Sequence, residues 1–384
     1  MPTLRDVVAV LDGLYDPRWA EPWDAVGTAV GDPDAEVRRI LLAVDPVQAV
    51  ADEAVAGAFD LVLTHHPLWL SGVTSVAASD PKGRVAHTLI SHGIALHTCH
   101  TNADVPPLGV SASMAAAFGL RDVQPLEVST AGAPDVWTVF APRDAADEVL
   151  AALHGAGAGR YDGYDSAAFR WPGTGQFRPL DGAQPAIGSI GDLEQVDEVA
   201  LRVVAPPGVR EAVRSALLAA HPYEVPAYDV VEAEPAPTDR GMGRIGTLPE
   251  PLPLERFAAL VRDALPAHGG ATRFAGDPGR LVRTVALCGG SGDFLLGAAT
   301  AAGADAYVTS DLKHHAVSEH LERPGACAVV DVPHWAAEWT WLPVAAAALV
   351  ERLGATVEAH VSTTVTDPWT STLVHDHLSH RSPR

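Results

Sequence analysis

Continuous apolar runs alternate with helical segments along the first third of the chain. Residues 3 to 13 carry apolar side chains at the helical period, with Thr3 as a candidate N-cap. Short apolar runs predict buried strands at 40 to 44, 61 to 63 and 94 to 97, with helices between them. This alternation is typical of parallel βαβ units in which helices cover both faces of the sheet.

The same pattern returns after residue 246. We predict helices at 254 to 265, 294 to 302, 314 to 321 and 334 to 353, and strands at 282 to 287, 306 to 308, 326 to 330 and 356 to 361. The last helix contains Pro343, where we expect a kink because proline removes a backbone donor. The predicted fold class is α/β, with two similar lobes, 1 to 126 and 246 to 384, forming one discontinuous body.

Residues 127 to 245 have a different character. A strand, a helix, a glycine-rich passage at 155 to 191, a second strand, a helix at 210 to 220 and a last strand follow one another. Stretches of alternating polarity in the glycine-rich passage are typical of antiparallel pairing. We therefore predict an inserted α+β domain of ferredoxin-like type, with the proline-rich segment 232 to 239 as its return linker.

Composition and charge exclude several classes of protein. The 384 residues are 47% hydrophobic and 19% charged, with neither an apolar run long enough to span a membrane nor a signal-peptide pattern. A cytoplasmic protein is expected. The formal net charge of −22 comes from 48 acidic and 26 basic residues, and such a surface argues against a nucleic-acid partner. A small anionic ligand stays compatible with it, because a bound divalent cation reverses the local field.

His65 and His66 form the sharpest local signal for chemistry. They directly follow the apolar strand at 61 to 63, and in parallel sheets ligand sites lie beyond the carboxyl ends of the strands. Two neighbouring imidazoles at such a point can reach two separate ions. An exposed histidine pair before Pro67 is the alternative.

A second cluster follows the strand at 94 to 97. The sequence HTNAD places His100 and Asp104 four residues apart. Asp104 could bridge two ions, and His100 could be a ligand, a residue that orients a ligand, or a proton carrier. The alternative is a turn stabilised by Asn102 and Asp104, without metal.

The third cluster is DVPHWAAE, residues 331 to 338. Pro333 suits the first turn of a helix, so His334 and Glu338 would share one helical face at a spacing that can hold one ion. An ordinary exposed helix face is the alternative. His315, at the start of another predicted helix, offers one further imidazole.

These clusters combine imidazole and carboxylate groups without cysteine. The cysteines Cys99, Cys288 and Cys327 lie in unrelated apolar stretches. Such a mixed nitrogen and oxygen set favours two divalent ions chosen from zinc, iron, manganese or cobalt, and disfavours a thiolate zinc site. The sequence CGGSG at 288 to 292 lacks the lysine of a phosphate-binding P-loop, so a tight turn is favoured over a phosphate cradle.

Five motifs in this order resemble those of one known family. They are WDAVGTAVG at 23 to 31, LTHHPLW at 63 to 69, HTNAD at 100 to 104, TSDLKHH at 309 to 315 and DVPHWAAE at 331 to 338. The chain resembles the NGG-interacting-factor-like dinuclear-metal proteins, known in bacteria as GTP cyclohydrolase I type 2 homologues. HPYEVPAYD at 221 to 229 and GMGRIG at 241 to 246 are similar to the members whose inserted domain resembles the signalling protein PII.

The resemblance implies a ligand set and an assembly. It assigns the metal ligands to His65, His66, Asp104, His334 and Glu338. The departures, which affect turns and neighbours of the ligands, are Ala25 in place of Asn, Ser310 and Pro333 in place of Gly, and Ala337 in place of Ser. The resemblance also implies a toroidal homohexamer with the metal sites facing an internal cavity.

Two functions fit these observations. The first is a metal-dependent hydrolase in which a water bridging two ions attacks a nucleotide such as GTP, with His100, His315 or Glu338 transferring protons. The second is a non-enzymatic metal-handling or regulatory scaffold whose insert senses a small molecule or a protein. His221, Tyr223 and Glu224 are the insert's candidate residues, and an aromatic turn that only packs at a domain contact is the alternative.

Overall fold

The structure is a computed structural model that describes residues 1–129, 133–161, 163–206, 208–233 and 239–373. The chain divides into two compact units, Met1–Ser129 with Asp239–Arg384, and Thr130–Thr238. Residues 234–238 of the predicted linker lie outside the described residues. None of the helices in the described part of the chain combines the length and the apolar character that crossing a bilayer requires.

The elements are numbered in chain order. The strands are β1 (Gly27–Val30), β2 (Arg39–Ala43), β3 (Leu61–Thr64), β4 (Ala95–Thr98), β5 (Arg121–Val128), β6 (Asp135–Pro142), β7 (Phe169–Phe177), β8 (Glu194–Ala205), β9 (Tyr228–Glu232), β10 (Gly241–Pro253), β11 (Arg273–Ala275), β12 (Leu281–Ser291), β13 (Ala306–Ser310), β14 (Ala328–Asp331) and β15 (Glu358–Val361). The helices are α1 (Leu4–Leu14), α2 (Gln48–Ala56), α3 (Pro81–Ser91), α4 (Thr101–Asp104), α5 (Val110–Ala117), α6 (Ala146–Gly155), α7 (Arg210–Ala220), α8 (Leu254–Ala264), α9 (Leu296–Ala301), α10 (His314–Leu321), α11 (His334–Trp339) and α12 (Trp341–Leu353).

The first unit contains two mixed sheets, each with parallel strands at its centre. One has the order β1-β4-β3-β2-β15, and the other has the order β11-β14-β13-β12-β10-β5. In the first sheet β15, β2, β3 and β4 run parallel, and in the second β12, β13 and β14 do. The parallel strands are buried runs such as Leu61–Thr64, as their unbroken apolar sequence predicts. The α/β fold class is confirmed.

Each of the two sheets contains one strand from a distant part of the chain. β15, near the C-terminus, pairs with β2 of the first sheet, and β5, which precedes the insert, pairs with β10 of the second. The predicted lobe boundaries at 126 and 246 fall inside β5 and β10. Glycines and prolines in β10, which normally weaken a strand, hide it from sequence reasoning.

One buried cluster joins the two sheets. It contains Leu42 of the first sheet, Leu287 of the second, and Trp341 of α12. Thr3 caps α1 in a reciprocal arrangement with Asp6, as its sequence predicts. Helices α1, α5, α11 and α12 contribute to this shared core, so the residues that follow the strands of both sheets are held in one rigid body.

The long final helix is interrupted close to the predicted kink: α11 ends at Trp339 and α12 begins at Trp341. Trp339 lies four residues before Pro343, and its carbonyl is the one that the proline ring would meet in an unbroken helix. Pro343 occupies the first turn of α12, where its missing N–H has no intrahelical partner. The break lets the short helix α11 present its own face to the site.

The second unit is a four-stranded antiparallel sheet with two helices. The strand order is β7-β8-β6-β9, and the chain runs β6-α6-β7-β8-α7-β9. This order is the ferredoxin-like arrangement predicted from the sequence. Trp137, Val139 and Leu201 of the sheet pack against Val149 and Leu217 of the helices in a core of its own.

Candidate metal centre

Three of the predicted histidines lie just beyond the carboxyl ends of two adjacent parallel strands. His65 and His66 follow β3, which ends at Thr64, and His100 follows β4, which ends at Thr98. Parallel neighbours end at the same edge of a sheet, so the three side chains meet there. One ligand nitrogen from each lies within 4.8 Å of those of the other two.

The second half of the chain contributes His334 and Glu338 from one face of α11. Nε2 of His334 lies 2.7 Å from Oε1 of Glu338. Ligand atoms of His66, His334 and Glu338 lie within 4.8 Å of one another. His66 therefore belongs to both groups: the first group is His65, His66 and His100, and the second group is His66, His334 and Glu338.

All four imidazoles are held through Nδ1 by an oxygen of the protein. In the order His65, His66, His100 and His334, the acceptors are the Cys99 carbonyl at 3.0 Å, Asp45 at 2.7 Å, Asp24 at 2.7 Å and Asp311 at 2.7 Å. Carbonyl and ionised carboxylate oxygens only accept hydrogen bonds, so each Nδ1 carries the proton. The lone pair of the neutral ring is then on Nε2, the form in which histidine binds a metal.

Sequence reasoning does not single out the three anchoring carboxylates. Asp311 directly follows β13 and Asp45 lies two residues beyond β2, so their places at strand ends are the signal that could have identified them. Asp24 lies in the loop before β1 and also accepts a hydrogen bond from the backbone N–H of Thr101 at 3.0 Å. Only the folded chain brings Asp24 to His100, 76 residues away.

Glu338 lies at the centre of the cluster. Its side chain is 4% exposed, with Oε1 at 3.5 Å from Nε2 of His65 and Oε2 at 3.1 Å from Nε2 of His66. Despite that short distance, Oε2 makes no hydrogen bond to any described residue. Asp104, the last residue of α4, places Oδ1 3.8 Å from Nε2 of His65. A buried carboxylate oxygen without a donor, surrounded by imidazole nitrogens, fits a divalent cation.

Neighbouring charges dominate the protonation of the second group. Burial raises the pKa of Glu338, but His66, His334 and His65 outweigh it and hold that pKa well below its ordinary value. Burial lowers the pKa of His66, but the charge of Glu338 and the hydrogen bond to Asp45 raise it to about 10. Glu338 and Asp311 likewise overcome burial at His334 and raise its pKa to about 11.

Asp104 behaves in the opposite way. Burial raises the pKa of Asp104 to about 8, and the nearby charge of Glu338 adds to the shift, which His100 and His66 only partly offset. Without metal, Asp104 is therefore protonated at neutral pH. A divalent ion that binds this carboxylate must displace that proton.

The ligand candidates line a cavity of about 580 Å³, here called the metal cavity. Its described lining includes His65, His66, His100, Asp104, His334 and Glu338 together with Trp23 and Phe294, and no lysine or arginine. One wall is the glycine-rich end of β12. A Cβ on Gly290 would lie 2.7 Å from Oε1 of Glu338, and the φ of Gly290 is +66°, so any side chain here would be strained and would crowd the carboxylate.

Cys288 also lines the metal cavity, although it lies outside the motif clusters in the sequence. Its side chain is buried, and Sγ donates to the carbonyl of Gly289 at 3.3 Å. Burial raises the pKa of this thiol to about 12, so it stays protonated.

Arg244 fixes the segment that carries Asp104. This arginine is 2% exposed, and its guanidinium donates to four backbone carbonyls, those of Gly241 (2.6 Å), Gly243 (2.7 Å), Val105 (2.8 Å) and Pro106 (2.7 Å). It thereby ties β10 to the two residues that follow Asp104. The GMGRIG motif thus has a structural role next to the site.

His315 is the one predicted site residue that the structure places elsewhere. It is exposed on α10 and stacks edge-on against His314, with the ring centroids 5.2 Å apart. It is not part of the described lining of the metal cavity. The six other predicted residues come together there.

Comparison with known proteins identifies the same family that the sequence motifs resemble. The family model described as Duf34/NIF3 (NGG1p interacting factor 3) matches residues 2–368. A Mycobacterium tuberculosis protein named "GTP cyclohydrolase 1 type 2 homolog" is 47% identical over 367 residues, which cover 95% of this chain and 96% of that protein. A Bacillus subtilis protein of the same name is 34% identical over 332 residues, covering 86% and 88%.

Solved structures agree over nearly the whole length. A Bacillus cereus protein related to NIF3 has a TM-score of 0.66 at 31% identity, covering 96% of this chain and 98% of that one. Staphylococcus aureus protein SA1388 has a TM-score of 0.73 at 26% identity, covering 97% and 99%. The relationship therefore includes both the α/β body and the inserted unit. Because the family model matches residues 2–368 and relatives are 47% and 34% identical over most of the length, the chain belongs to the Duf34/NIF3 family.

Proposed function

We propose that this protein is a metal-dependent hydrolase that binds two divalent ions and acts on a nucleotide. The ligands are His65, His66, Asp104, His334 and Glu338. One observation carries the proposal: four imidazoles, each anchored through Nδ1, line a single cavity, and three of them face the buried carboxylate of Glu338. Ligands held in place by hydrogen bonds to their other ring nitrogen are typical of functional metal sites.

The donor set and its arrangement support two ions rather than one. Glu338 has one oxygen near His65, which also faces Asp104, and another near His66. Imidazole and carboxylate donors suit zinc, iron, manganese or cobalt. When bound, two such ions would lower the pKa of a water shared between them and so supply a nucleophile at neutral pH.

His100 is the residue we assign to proton transfer. Its Nδ1 donates to Asp24, whose pKa is lowered by the hydrogen bonds of His100 and Thr101 against the effect of burial. Asp24 thus keeps the Nδ1 proton in place, and proton exchange must occur at Nε2, within the metal cavity. Since His315 lies outside the described lining, it is not assigned a role in this step.

The shape and charge of the metal cavity support a nucleotide. Its volume of about 580 Å³ is in the range of ordinary ligand pockets. Trp23 and Phe294 line it while 59% and 61% exposed, so their rings are available to stack on a purine. The described lining contains neither lysine nor arginine to balance phosphate, so the ions would supply that charge. The relatives' name, GTP cyclohydrolase 1 type 2 homolog, makes GTP the first substrate to test.

The test is turnover by protein loaded separately with zinc, iron(II), manganese and cobalt. GTP and a panel of phosphoesters are the substrates, with chromatography of the products and an assay of released formate. We expect His100→Asn to lower kcat about a hundredfold at unchanged metal content. His87→Asn, an exposed histidine on α3, is the matched control and should change nothing.

Failure of this test has a defined meaning. If the protein holds about two ions per chain and turns over none of the substrates, the hydrolase proposal is wrong. The non-enzymatic metal-handling or regulatory scaffold would then take its place. Loss of turnover in the His87 variant as well would show that the assay does not report on the metal cavity.

We also propose a homohexamer, supported by the family resemblance. Light scattering should then give six times the chain mass of 40.1 kDa. A monomer at micromolar concentration would contradict it.

A further inference from the structure

The inserted unit has a cavity of its own that the metal chemistry does not involve. It has a volume of about 450 Å³ and is here called the insert cavity. Its lining includes Phe177 of β7, Glu198 of β8, and Tyr223 and Glu224 of the segment before β9. All of its lining residues lie between 140 and 227, within the second unit.

A carboxylate is fixed in the wall of this cavity. Oε1 of Glu198 accepts a hydrogen bond from the hydroxyl of Tyr223 at 3.0 Å. Burial and the charge of Glu198 raise the pKa of Tyr223, so the phenol keeps its proton and remains the donor. Glu198 also lies against Gly175, where a Cβ would come within 2.3 Å of Oε2. A side chain at position 175 would therefore displace the carboxylate from this place.

Tyr223 is itself held in place by its neighbours. Its ring meets that of Phe177 edge-on, with the centroids 5.5 Å apart. Its backbone N–H donates to Nδ1 of His221 at 3.1 Å, so Nε2 of His221 carries the proton and donates to the Phe140 carbonyl at 2.9 Å. The buried His221 therefore shapes the turn, and Tyr223 and Glu198 are the groups available to a ligand.

The charge of the insert cavity defines the ligand. Glu198 and Glu224 both line it, and its described lining contains no lysine or arginine. Within the described residues, Oε2 of Glu224 accepts one hydrogen bond, from the backbone N–H of Gln184 at 3.2 Å. The lining also contains the rings of Phe140, Phe177 and Tyr223 and the amides of Gln176 and Gln184. Two carboxylates beside aromatic rings match a positively charged group on an apolar body. An anion would be repelled by both carboxylates, and a neutral ligand would gain no charge pairing with them.

We propose that the insert cavity binds an organic cation, an amine or guanidinium with an apolar body. The charged head pairs with Glu198, and the body packs on Phe177 and Tyr223. This site is separate from the metal cavity and does not depend on the proposed hydrolase activity.

Three probes of nearly equal size test the proposal on the full chain by calorimetry. They are 4-phenylbutylamine, 4-phenylbutanol and 4-phenylbutyrate, which are cationic, neutral and anionic. We expect the amine to bind and the other two to bind at least about tenfold more weakly. Glu198→Gln, which keeps an acceptor for Tyr223 but removes the charge, should weaken the amine about tenfold. Tyr223→Phe should weaken it less, because the ring remains.

Glu148→Gln is the control, since it removes one negative charge from an exposed position on α6 of the same unit. Its affinity for the amine should equal that of the unchanged protein. Equal affinities for amine and alcohol would mean an apolar pocket without cation recognition, which overturns the proposal. Equal weakening by Glu198→Gln and Glu148→Gln would mean a general charge effect and would overturn it too, as would an amine that does not bind at millimolar concentration.

Discussion

The two ligand groups of the metal cavity share His66 but differ in what holds them. The first group lies beyond two strands of one sheet, and its His65 is anchored by a neutral carbonyl. In the second group, His66 and His334 are anchored by carboxylates and also face the carboxylate of Glu338. The second group therefore holds protons tightly without metal, with the pKa of His66 and of His334 raised to about 10 and about 11.

The two groups should therefore differ in how strongly a metal ion and a proton compete. A carboxylate that faces an imidazole attracts both a cation and a proton, so this competition is strongest at His66 and His334. Burial rather than charge governs Asp104 on the side of the first group. The following experiments separate the two groups, beginning with the largest expected effect.

Glu338→Ala should reduce metal content at both positions, from about two ions per chain to nearly none, because this carboxylate faces His65 as well as His66 and His334. Elemental analysis gives the metal content, and circular dichroism checks the fold. Glu351→Ala, on the exposed surface of α12, is the matched control. A variant that retains about two ions would remove Glu338 from the ligand set.

His334→Ala should empty mainly one position, because His334 belongs only to the second group. Asp104→Ala should weaken the position next to His65 and leave the fold intact, because the ligands lie beyond the packed strands. We expect about one ion per chain in each variant. Identical loss of both ions in the two variants would mean that the groups are not separable.

Arg244→Met should lower the free energy of unfolding by about 3 kcal/mol, because it leaves four buried carbonyls without their donor. Metal affinity should fall together with stability, since the segment carrying Asp104 is released. Arg244→Lys should recover part of both, because the ammonium can still reach some of the carbonyls. Denaturant unfolding and metal titration are the measurements, and weakened metal binding in a variant that is less stable but still folded is the expected result. Unchanged affinity in Arg244→Met would show that the arginine does not position Asp104.

Metal binding should release about three protons per chain at pH 7, from Asp104, His66 and His334, whose pKa values are raised to about 8, 10 and 11. Affinity should therefore rise with pH. In the metal-free protein, the contribution of His66 and His334 to stability should change with pH in the opposite direction, falling as the pH rises. Their contribution is complete below the unfolded-state pKa of about 6.5 and is lost as the pH rises through 10 and 11. A pH indicator in weak buffer measures the protons, and release of none would show that these groups are not ligands.

Removal of residues 130 to 238, with Ser129 joined to Asp239, should change metal content least. β5 and β10, which flank the insert, pair directly with each other, with Val128 opposite Gly241, so their ends can be joined by a short turn. The truncated chain should remain folded and hold about two ions, as measured by elemental analysis. If it binds 4-phenylbutylamine as the full chain does, the amine site lies outside the insert. Loss of metal would mean that the body depends on the insert.

Much of the fold and site is predictable because it rests on local patterns. The apolar runs that become β2, β3, β4 and β13 are short and bounded by polar residues, so their positions differ from prediction by only one or two residues. β5 and β10 escape prediction because their pairing with each other, rather than their apolar content, makes them strands. The sequence places His315 with the site, but in the structure this residue is exposed at the start of α10 and lies outside the described lining of the metal cavity.

The sequence by itself determines which residues follow the strands and that His334 and Glu338 share a helical face, because both depend on the fixed geometry of strands and helices. Tertiary structure decides that the two groups meet at His66, and that Asp24, Asp45 and Asp311 hold the imidazoles. His66 and His334 are 268 residues apart in the sequence. Their rings come together because β15 joins the first sheet, β5 joins the second, and one shared core packs against both sheets. Contacts over such separations depend on the packing of the whole body, which no local period of the sequence records.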